Sequence, residues 1–257
     1  MSLKISNLNY SYSSKFSLTD ITLSFHNDIT AVIGPNGAGK STMIKCIANI
    51  FKSSGDIYYM DRKINRKDKK FFAKSLSYLP QSSQNDATIT VFEAILLGLM
   101  NTLELHVSAA QMQEVNEMLD LFDLQPLAQR PICELSGGQL QMVLLAQAII
   151  KQPEILLLDE PLNNLDIHRQ FALLNLISKL SKQKNMITVI VMHDINLASR
   201  YADNIVIMDK GRLHSQGKPQ EVITEKALKD IYKIQGNVHV NGQGYPVIEF
   251  VDIAANF

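Results

Sequence analysis

Tryptophan is missing altogether, cysteine occurs only twice, and no apolar run is long enough to cross a bilayer. The longest such run, Met142 to Ile150, is interrupted by Gln147. No membrane-spanning helix is therefore expected. Cys46 and Cys133 stand far apart, without the paired spacing of a metal site or a disulfide framework. No bridge is expected between them, Cys46 reads as a small packing residue, and a reducing compartment suits this usage. An excess of either charge is also lacking. The 25 basic and 25 acidic residues balance, so no global field draws the chain to nucleic acid or anionic lipid. Met1-Ser2-Leu3-Lys4 lacks the hydrophobic region of a secretory signal. There is no internal repeat, low-complexity stretch or long linker. What is present is an ordinary globular composition, 46% hydrophobic, with 257 residues to build one or two domains around a sizeable core.

One stretch organises the rest: Gly34-Pro35-Asn36-Gly37-Ala38-Gly39-Lys40-Ser41-Thr42. Two glycines bracket four residues, and Lys and Ser follow at once, which fits a phosphate-binding loop. Upstream, Ile29 to Ile33 is an apolar, β-branched run that predicts a buried strand. Downstream, Ile44, Ile47 and Phe51 recur at helical spacing over 41–51. Glycines let the backbone turn sharply and bring N–H groups close to phosphate oxygens, and the helix N-terminus adds partial positive charge. Lys40 would reach the β- and γ-phosphates, and the Ser41 hydroxyl would hold Mg²⁺. The expectation is a nucleoside triphosphate site.

Residues 3–30 alternate β-prone stretches with polar turns and predict two strands joined through Ser11 to Lys15. Tyr12 falls in that turn and could stack on a base, as could Tyr10, or either could be ordinary packing. Arg62, Lys63, Arg66, Lys67, Lys69, Lys70 and Lys74 form a basic stretch that Asp61 and Asp68 interrupt, so a solvated helical face is the better reading. Leu76 to Pro80 predicts a strand, with Gln81 just beyond it. From Thr90 to about Leu127 the pattern turns helical, and its methionines read as core filling. After Leu135-Ser136-Gly137-Gly138-Gln139 an apolar helix runs to about Lys151. Glu154 to Leu158 is the next buried strand, closed by Asp159-Glu160-Pro161. An acidic pair at a strand end is the expected partner of a phosphate loop: Asp159 can hold Mg²⁺ through water, and Glu160 can orient or deprotonate the attacking water. Ile187 to Met192 predicts another buried strand, ending in His193-Asp194. His193 thus sits at the kind of strand end that carries the acidic pair, which favours a catalytic role. A Gly-turned hairpin follows over 204–214, then a short helical region over 218–233 and a strand pair within 236–257.

With the phosphate loop, Gln81, Leu-Ser-Gly-Gly-Gln at 135–139, Ile-Leu-Leu-Leu-Asp-Glu at 155–160 and His193 in this order, the chain resembles an ATP-binding cassette (ABC) ATPase over essentially its whole length. The resemblance implies an α/β fold, a P-loop NTPase (RecA-like) core with an antiparallel β subdomain and an inserted α-helical subdomain. One ATPase domain would span 1–257, with 1–85 and 153–257 forming the ATP-binding core and β subdomain and about 86–152 the helical part. Tyr12 then looks like the aromatic that stacks on adenine. Gln81 resembles the glutamine that touches Mg²⁺ and signals into the helical part, Glu160 the catalytic base, and His193 the histidine that contacts the γ-phosphate. Asn163-Asn164-Leu165-Asp166 matches the loop that crosses between two cassettes. Ser136, Gly137, Gly138 and Gln139 form the family's signature, with Ser136 and Gly138 contacting nucleotide on the opposite subunit. Each ATP is then sandwiched between one chain's phosphate loop and the other's signature. The implied working unit is a pair of cassettes, a homodimer by expectation.

Departures from the family pattern are local. Leu140, Met142 and Gln147 stand where arginines are frequent after the signature, which puts the ion pairs orienting this helix in question. Leu162 replaces a threonine or serine. The string Pro161-Leu162-Asn163-Asn164-Leu165-Asp166, and the end through Tyr245-Pro246-Val247-Ile248, resemble ATPases of bacterial importers for ferric siderophores and related iron chelates. Cassettes for haem, cobalamin, zinc or manganese look similar. An exporter ATPase, a DNA-repair or translation cassette and a cassette that binds ATP only as a regulator are the rival readings. The implied cofactors are ATP and Mg²⁺. The implied partners are transmembrane permease subunits and, through them, a substrate-binding protein, with no nucleic acid. The implied place is the cytoplasmic face of the membrane.

Overall fold

The computed structural model describes residues 1–13, 16–81, 87–99, 107–163 and 165–253. It begins with two long antiparallel strands, β1 (Ser2–Ser13) and β2 (Phe16–His26), whose inward side chains include Leu3, Ile5, Leu8, Leu18, Ile21, Leu23 and Phe25. Strand β1 continues to Ser13, so Tyr12 lies within it and not in the expected turn. Next come β3 (Ile29–Ile33), the phosphate loop and helix α1 (Lys40–Ile47). The helix stops short of Phe51 because Asn49 takes a left-handed conformation (φ 58°) and turns the chain out of helical register. Strands β4 (Ser54–Tyr59) and β5 (Arg62–Lys63) extend the first sheet, giving the order β2-β1-β4-β5. Helix α2 (Lys69–Ser75) leads into β6 (Leu76–Leu79).

Three helices follow: α3 (Val91–Leu96), α4 (Ala109–Leu121) and α5 (Gly137–Ile150). Each opens on a reciprocal capping box, Thr90 with Glu93, Ser108 with Gln111, and Ser136 with Gln139. A hydroxyl and a residue three positions on satisfy one another's orphan N–H groups there, which fixes where each helix begins. Strands β7 (Ile155–Asp159) and β8 (Ile187–Val191) flank helix α6 (Ile167–Lys184) in sequence. Helix α7 (Ile195–Tyr201) then precedes the hairpin β9 (Asn204–Asp209) and β10 (Arg212–Gly217). After short helical turns, β11 (Ile234–Val240) and β12 (Pro246–Ile253) form a separate antiparallel pair against α7. Residues 254–257, the end of the expected final segment, lie outside the described residues. Among those described, no helix is long and apolar enough to cross a membrane.

The second sheet positions the site. Its order is β10-β9-β3-β8-β7-β6, and the five strands from β9 to β6 run parallel. Strands β3, β7 and β8 are buried at every position, the pattern of parallel strands covered on both faces. Alternation divides their side chains between two cores. Leu157, Val189 and Val32 join Met43, Ile44 and Ile47 of α1, while Leu156, Leu158 and Ile190 join Leu173, Leu174 and Ile177 of α6. Because β3, β6, β7 and β8 are parallel neighbours, the residues that follow each of them emerge at one edge of the sheet. That edge is where ligands bind in open α/β folds.

Candidate active site

The phosphate loop leaves β3 on Gly34, whose φ of 145° few L side chains adopt. A Cβ there would stand 2.1 Å from the Met208 carbonyl oxygen of β9, so the chain leaves β3 where only glycine fits beside β9. Gly37 (φ 78°) and Gly39 (φ 99°) are also left-handed. The turn of the β9–β10 hairpin braces the loop from behind. Gly211 N–H donates to the Ala38 carbonyl at 3.0 Å, and the Gly211 carbonyl accepts from Thr19 N–H at 2.9 Å. The antiparallel sheet is thereby tied to the loop's geometry. Lys40 curls back so that Nζ donates to the carbonyls of Gly34 (2.8 Å) and Pro35 (3.0 Å). Burial pulls its ammonium below the usual lysine range, against the Glu160 and Asp159 carboxylates, which push it up. A desolvated cation at a helix N-terminus is prepared for a polyanion.

Asp159, at the end of β7, is fully buried. Ser41 Oγ donates to its Oδ1 at 2.7 Å, and the Tyr78 hydroxyl of β6 lies 3.3 Å from its Oδ2. Burial raises the Asp159 pKa, and the Ser41 hydrogen bond works against that rise. A hydroxyl and a carboxylate thus converge beside the loop. These are hard oxygen donors, few in number, which is the set Mg²⁺ takes when phosphate oxygens and water complete its octahedron. The residues fit that ion.

Glu160 follows in a left-handed conformation (φ 53°) and is almost buried. Its Oε2 accepts from Gln81 Nε2 at 2.6 Å and from Asn163 Nδ2 at 2.7 Å, while His193 Nε2 stands 2.8 Å from Oε1. Burial by itself would raise the Glu160 pKa. Hydrogen bonds from His193 and Asn163, with the nearby Lys40 charge, outweigh it and leave the carboxyl below its ordinary range. Residues expected at the ends of three different strands, Gln81, Glu160 and His193, therefore meet at one carboxylate.

A cleft of about 240 Å³ opens over the loop, lined by Phe16, Asn36, Gly37, Gly39, Lys40, Ser41, Thr42 and Glu160. Glu160 lines it together with the loop, so a carboxylate and a glycine-rich turn share one space. Tyr12 does not line this cleft; it is 58% exposed and packs edge-on to Tyr10 and Phe51, which stack on one another with centroids 5.1 Å apart. The aromatic on the cleft is Phe16, whose ring also lies close to Gly39. Sequence reasoning missed Phe16, because only the folding of β2 across the loop brings it there. Tyr78 was missed likewise, although its place next to the end of β6 was a usable signal.

Ser136, Gly137, Gly138 and Gln139 do not line the cleft of their own chain. Ser136 Oγ accepts from Gln139 N–H at 3.3 Å, and Gln139 Oε1 accepts from Ser136 N–H at 3.0 Å, so the signature doubles as the capping box of α5. Gly138 lies under Arg169: a Cβ there would meet Nη1 at 2.9 Å. Asp166 caps α6 by accepting from Arg169 N–H at 2.9 Å, and its carboxylate pairs with Arg169 Nε at 3.5 Å. Leu140 and Met142 pack against the core, and Gln147 donates to the Ala94 carbonyl at 2.7 Å, tying α5 to α3. Helix α5 is thus oriented without the arginines whose absence the sequence raised. Asn164 lies outside the described residues.

The family model described as ABC transporter matches residues 18–163. An uncharacterized ABC transporter ATP-binding protein of Methanocaldococcus jannaschii is 36% identical over 250 residues, 96% of this chain and 97% of its own. The hemin import ATP-binding protein HmuV of Shewanella denitrificans is 34% identical, covering 96% of this chain and 99% of its own. The petrobactin import ATP-binding protein YclP of Bacillus subtilis is 33% identical over 90% and 92%. Among solved structures, a metal-chelate type ABC transporter in an inward-facing conformation superposes with a TM-score of 0.82 and 25% identity, covering 99% of this chain and 98% of that one. A dimeric cassette in a post-hydrolysis state, bound to ADP and Pi, superposes at 0.76 with 25% identity over 84% and 98%.

Proposed function

The chain belongs to the ABC transporter family, and we propose that it is the ATP-hydrolysing subunit that powers uptake of an iron chelate through a separate membrane permease. One observation carries the enzymatic half. At a single sheet edge, a phosphate loop stands beside a Ser41–Asp159 pair and a Glu160 carboxylate held by His193. Hemin and petrobactin import by relatives at 33–34% identity supports the iron-chelate half.

In this reading the backbone N–H groups of 34–42 and Lys40 bind the phosphates, while Lys40 exchanges its two carbonyl partners for phosphate oxygens. Ser41 and Asp159, with Gln81 nearby, would hold Mg²⁺, and the bound ion would supply neutralisation of the phosphoryl charge. Glu160, ionised and facing the cleft, orients the attacking water and takes its proton. His193 contacts the γ-phosphate side while bracing Glu160. Tyr12 supports the adenine from β1, at the edge of the aromatic cluster. The signature residues Ser136 to Gln139 and the Asp166 loop act on the nucleotide of a second copy, so a homodimer is the working unit. The helical part, about 86–152, passes motion from Gln81 to the permease at the cytoplasmic face of the membrane.

The test is uptake of radiolabelled iron by cells lacking this gene, complemented with wild type or Glu160→Gln. Ferric siderophores and haem are offered as separate complexes. Loss for one complex, restored by wild type alone, is the expected result. Unchanged uptake of every complex overturns the iron assignment and leaves the ATPase reading to be tested on cobalamin, other metals or export. In purified protein, Glu160→Gln should retain ATP binding and lose about 10²–10⁴-fold in hydrolysis.

A further inference from the structure

We propose that Asn163 is a positioning residue for Glu160, pinning its carboxylate where it lines the phosphate cleft. The inference rests on the reading of Glu160 as the general base. Three side chains hold that carboxylate, and they are not equivalent. Gln81 and His193 are exposed and follow two other strands, β6 and β8, so their distance to Glu160 depends on how those strand ends are placed. Asn163 is half-buried and belongs to the same turn as Glu160. Its backbone N–H donates to the Glu160 carbonyl at 3.3 Å, and its side-chain amide donates to Oε2 at 2.7 Å. The turn that fixes the backbone therefore also fixes the donor, whatever Gln81 and His193 do.

Glu160 is shared by two cavities. One is the phosphate cleft; the other, of about 130 Å³, is also lined by Leu162, Asn163, Gln170 and His193. Asn163 and His193 line the second cavity only. Asn163 donates to Oε2 from the side of the second cavity, while Glu160 also lines the phosphate cleft. Without the Asn163 amide, Oε2 loses its local anchor and the side chain has room to rotate into the second cavity. Asparagine often earns its place in a turn by bonding its own backbone. Here the amide is spent on a carboxylate instead, which marks it as a holder of that group.

The test compares wild type, Asn163→Ala, Asn163→Asp and Glu160→Gln in ATP hydrolysis, with nucleotide binding and thermal melting measured on each. Loss of the donor in Asn163→Ala should lower kcat by about 10–100-fold with KM for ATP and nucleotide binding kept, the cost of a misplaced catalytic group. Asn163→Asp has nearly the same shape but lacks the donor and places a negative charge against Glu160, so it should lose at least as much in kcat. A lower melting temperature with wild-type kcat below the transition would make Asn163 a turn residue and overturn the proposal. So would a loss that falls on ATP binding as much as on kcat. If Glu160→Gln hydrolyses ATP like wild type, the base assignment fails first. If Glu160→Gln is inactive while both Asn163 variants keep wild-type kcat, only the positioning inference falls.

Discussion

The Ser41 hydroxyl donates to the buried Asp159 carboxylate at 2.7 Å, joining the first turn after the phosphate loop to the end of strand β7. The contact reaches across one intervening strand, because β8 lies between β3 and β7. Ser41 reaches over that gap from the start of α1. Two oxygens are thus held close together, where they would serve a Mg²⁺ ion as ligands. Ser41→Ala removes a hydrogen bond that holds the Asp159 pKa down and leaves the Tyr78 hydroxyl as its hydrogen-bond partner among the described residues, which moves its pKa further up and weakens its hold on a cation. We expect the Mg²⁺ concentration for half-maximal hydrolysis to rise about 10–100-fold, the usual cost of disturbing a metal's ligand set. A Mg²⁺ titration at fixed ATP checks this. An unchanged midpoint would remove Ser41 from the ion's ligands.

Glycines of the same loop should differ in what they tolerate. Gly34→Ala forces a Cβ against the Met208 carbonyl oxygen at 2.1 Å, where backbone must move, and keeps a φ of 145°. Gly37→Ala has open space around its Cβ and carries only the left-handed penalty, roughly 1–2 kcal/mol. The expected loss in melting temperature is about 5–10 °C or more for Gly34→Ala and roughly 2–5 °C for Gly37→Ala. Thermal scans of the nucleotide-free protein decide the order. Equal losses would mean that the close approach of β3 and β9 does not set the loop's shape.

The fold and the site were legible to different depths. Strands β3, β7 and β8 were readable because a parallel strand covered on both faces leaves a continuous apolar run. The start of α6 was readable because Asp166 caps it in the way its residue type predicts. Convergence was not readable. Nothing in the spacing of Gln81, Asn163 and His193 says that all three meet Glu160; the parallel order β8-β7-β6 and a left-handed Glu160 do that. The end of α1 was misread for a local reason, since Ile44, Ile47 and Phe51 keep helical spacing while Asn49 breaks the helix between them. Phe51 then serves the aromatic cluster beside Tyr10 and Tyr12 instead of a helix face.

Lys40 offers a separation of binding from folding. Its charge is buried and its pKa is lowered, so the ammonium is held at a desolvation cost that a phosphate would offset. For a lysine depressed in this way, the fold gains stability as pH rises through the folded-state pKa, opposite to a lysine that has gained an acidic partner. Lys40→Met should therefore keep the melting temperature of the nucleotide-free protein near neutral pH and abolish its increase with MgATP. In wild type, ATP affinity should fall at a less alkaline pH than an ordinary lysine would give. Tight ATP binding by Lys40→Met would contradict the phosphate-loop assignment, and collapse of the apo protein would make Lys40 structural.

Because the signature residues stand away from the cleft of their own chain, two dead variants should rescue one another. Lys40→Met removes the phosphate grip and leaves the signature intact. Gly138→Asp adds a side chain over a position where even a Cβ meets Arg169 Nη1 at 2.9 Å, the far end of a flexible side chain, so the fold can give way while the signature surface is spoiled. Each variant alone has no complete site in a homodimer. A mixed dimer has one site with both halves damaged and one with both halves intact. Random exchange of equal amounts makes half of the dimers mixed, so hydrolysis should recover to about a quarter of the wild-type rate if sites act independently. Recovery on mixing, measured at fixed total protein, supports a nucleotide shared between two copies. No recovery with both variants folded and exchanging would mean that each chain hydrolyses ATP with its own residues, or that the two sites fire only together. Gly138→Asp assayed alone separates those outcomes: it stays active in the first case and is inactive in the second.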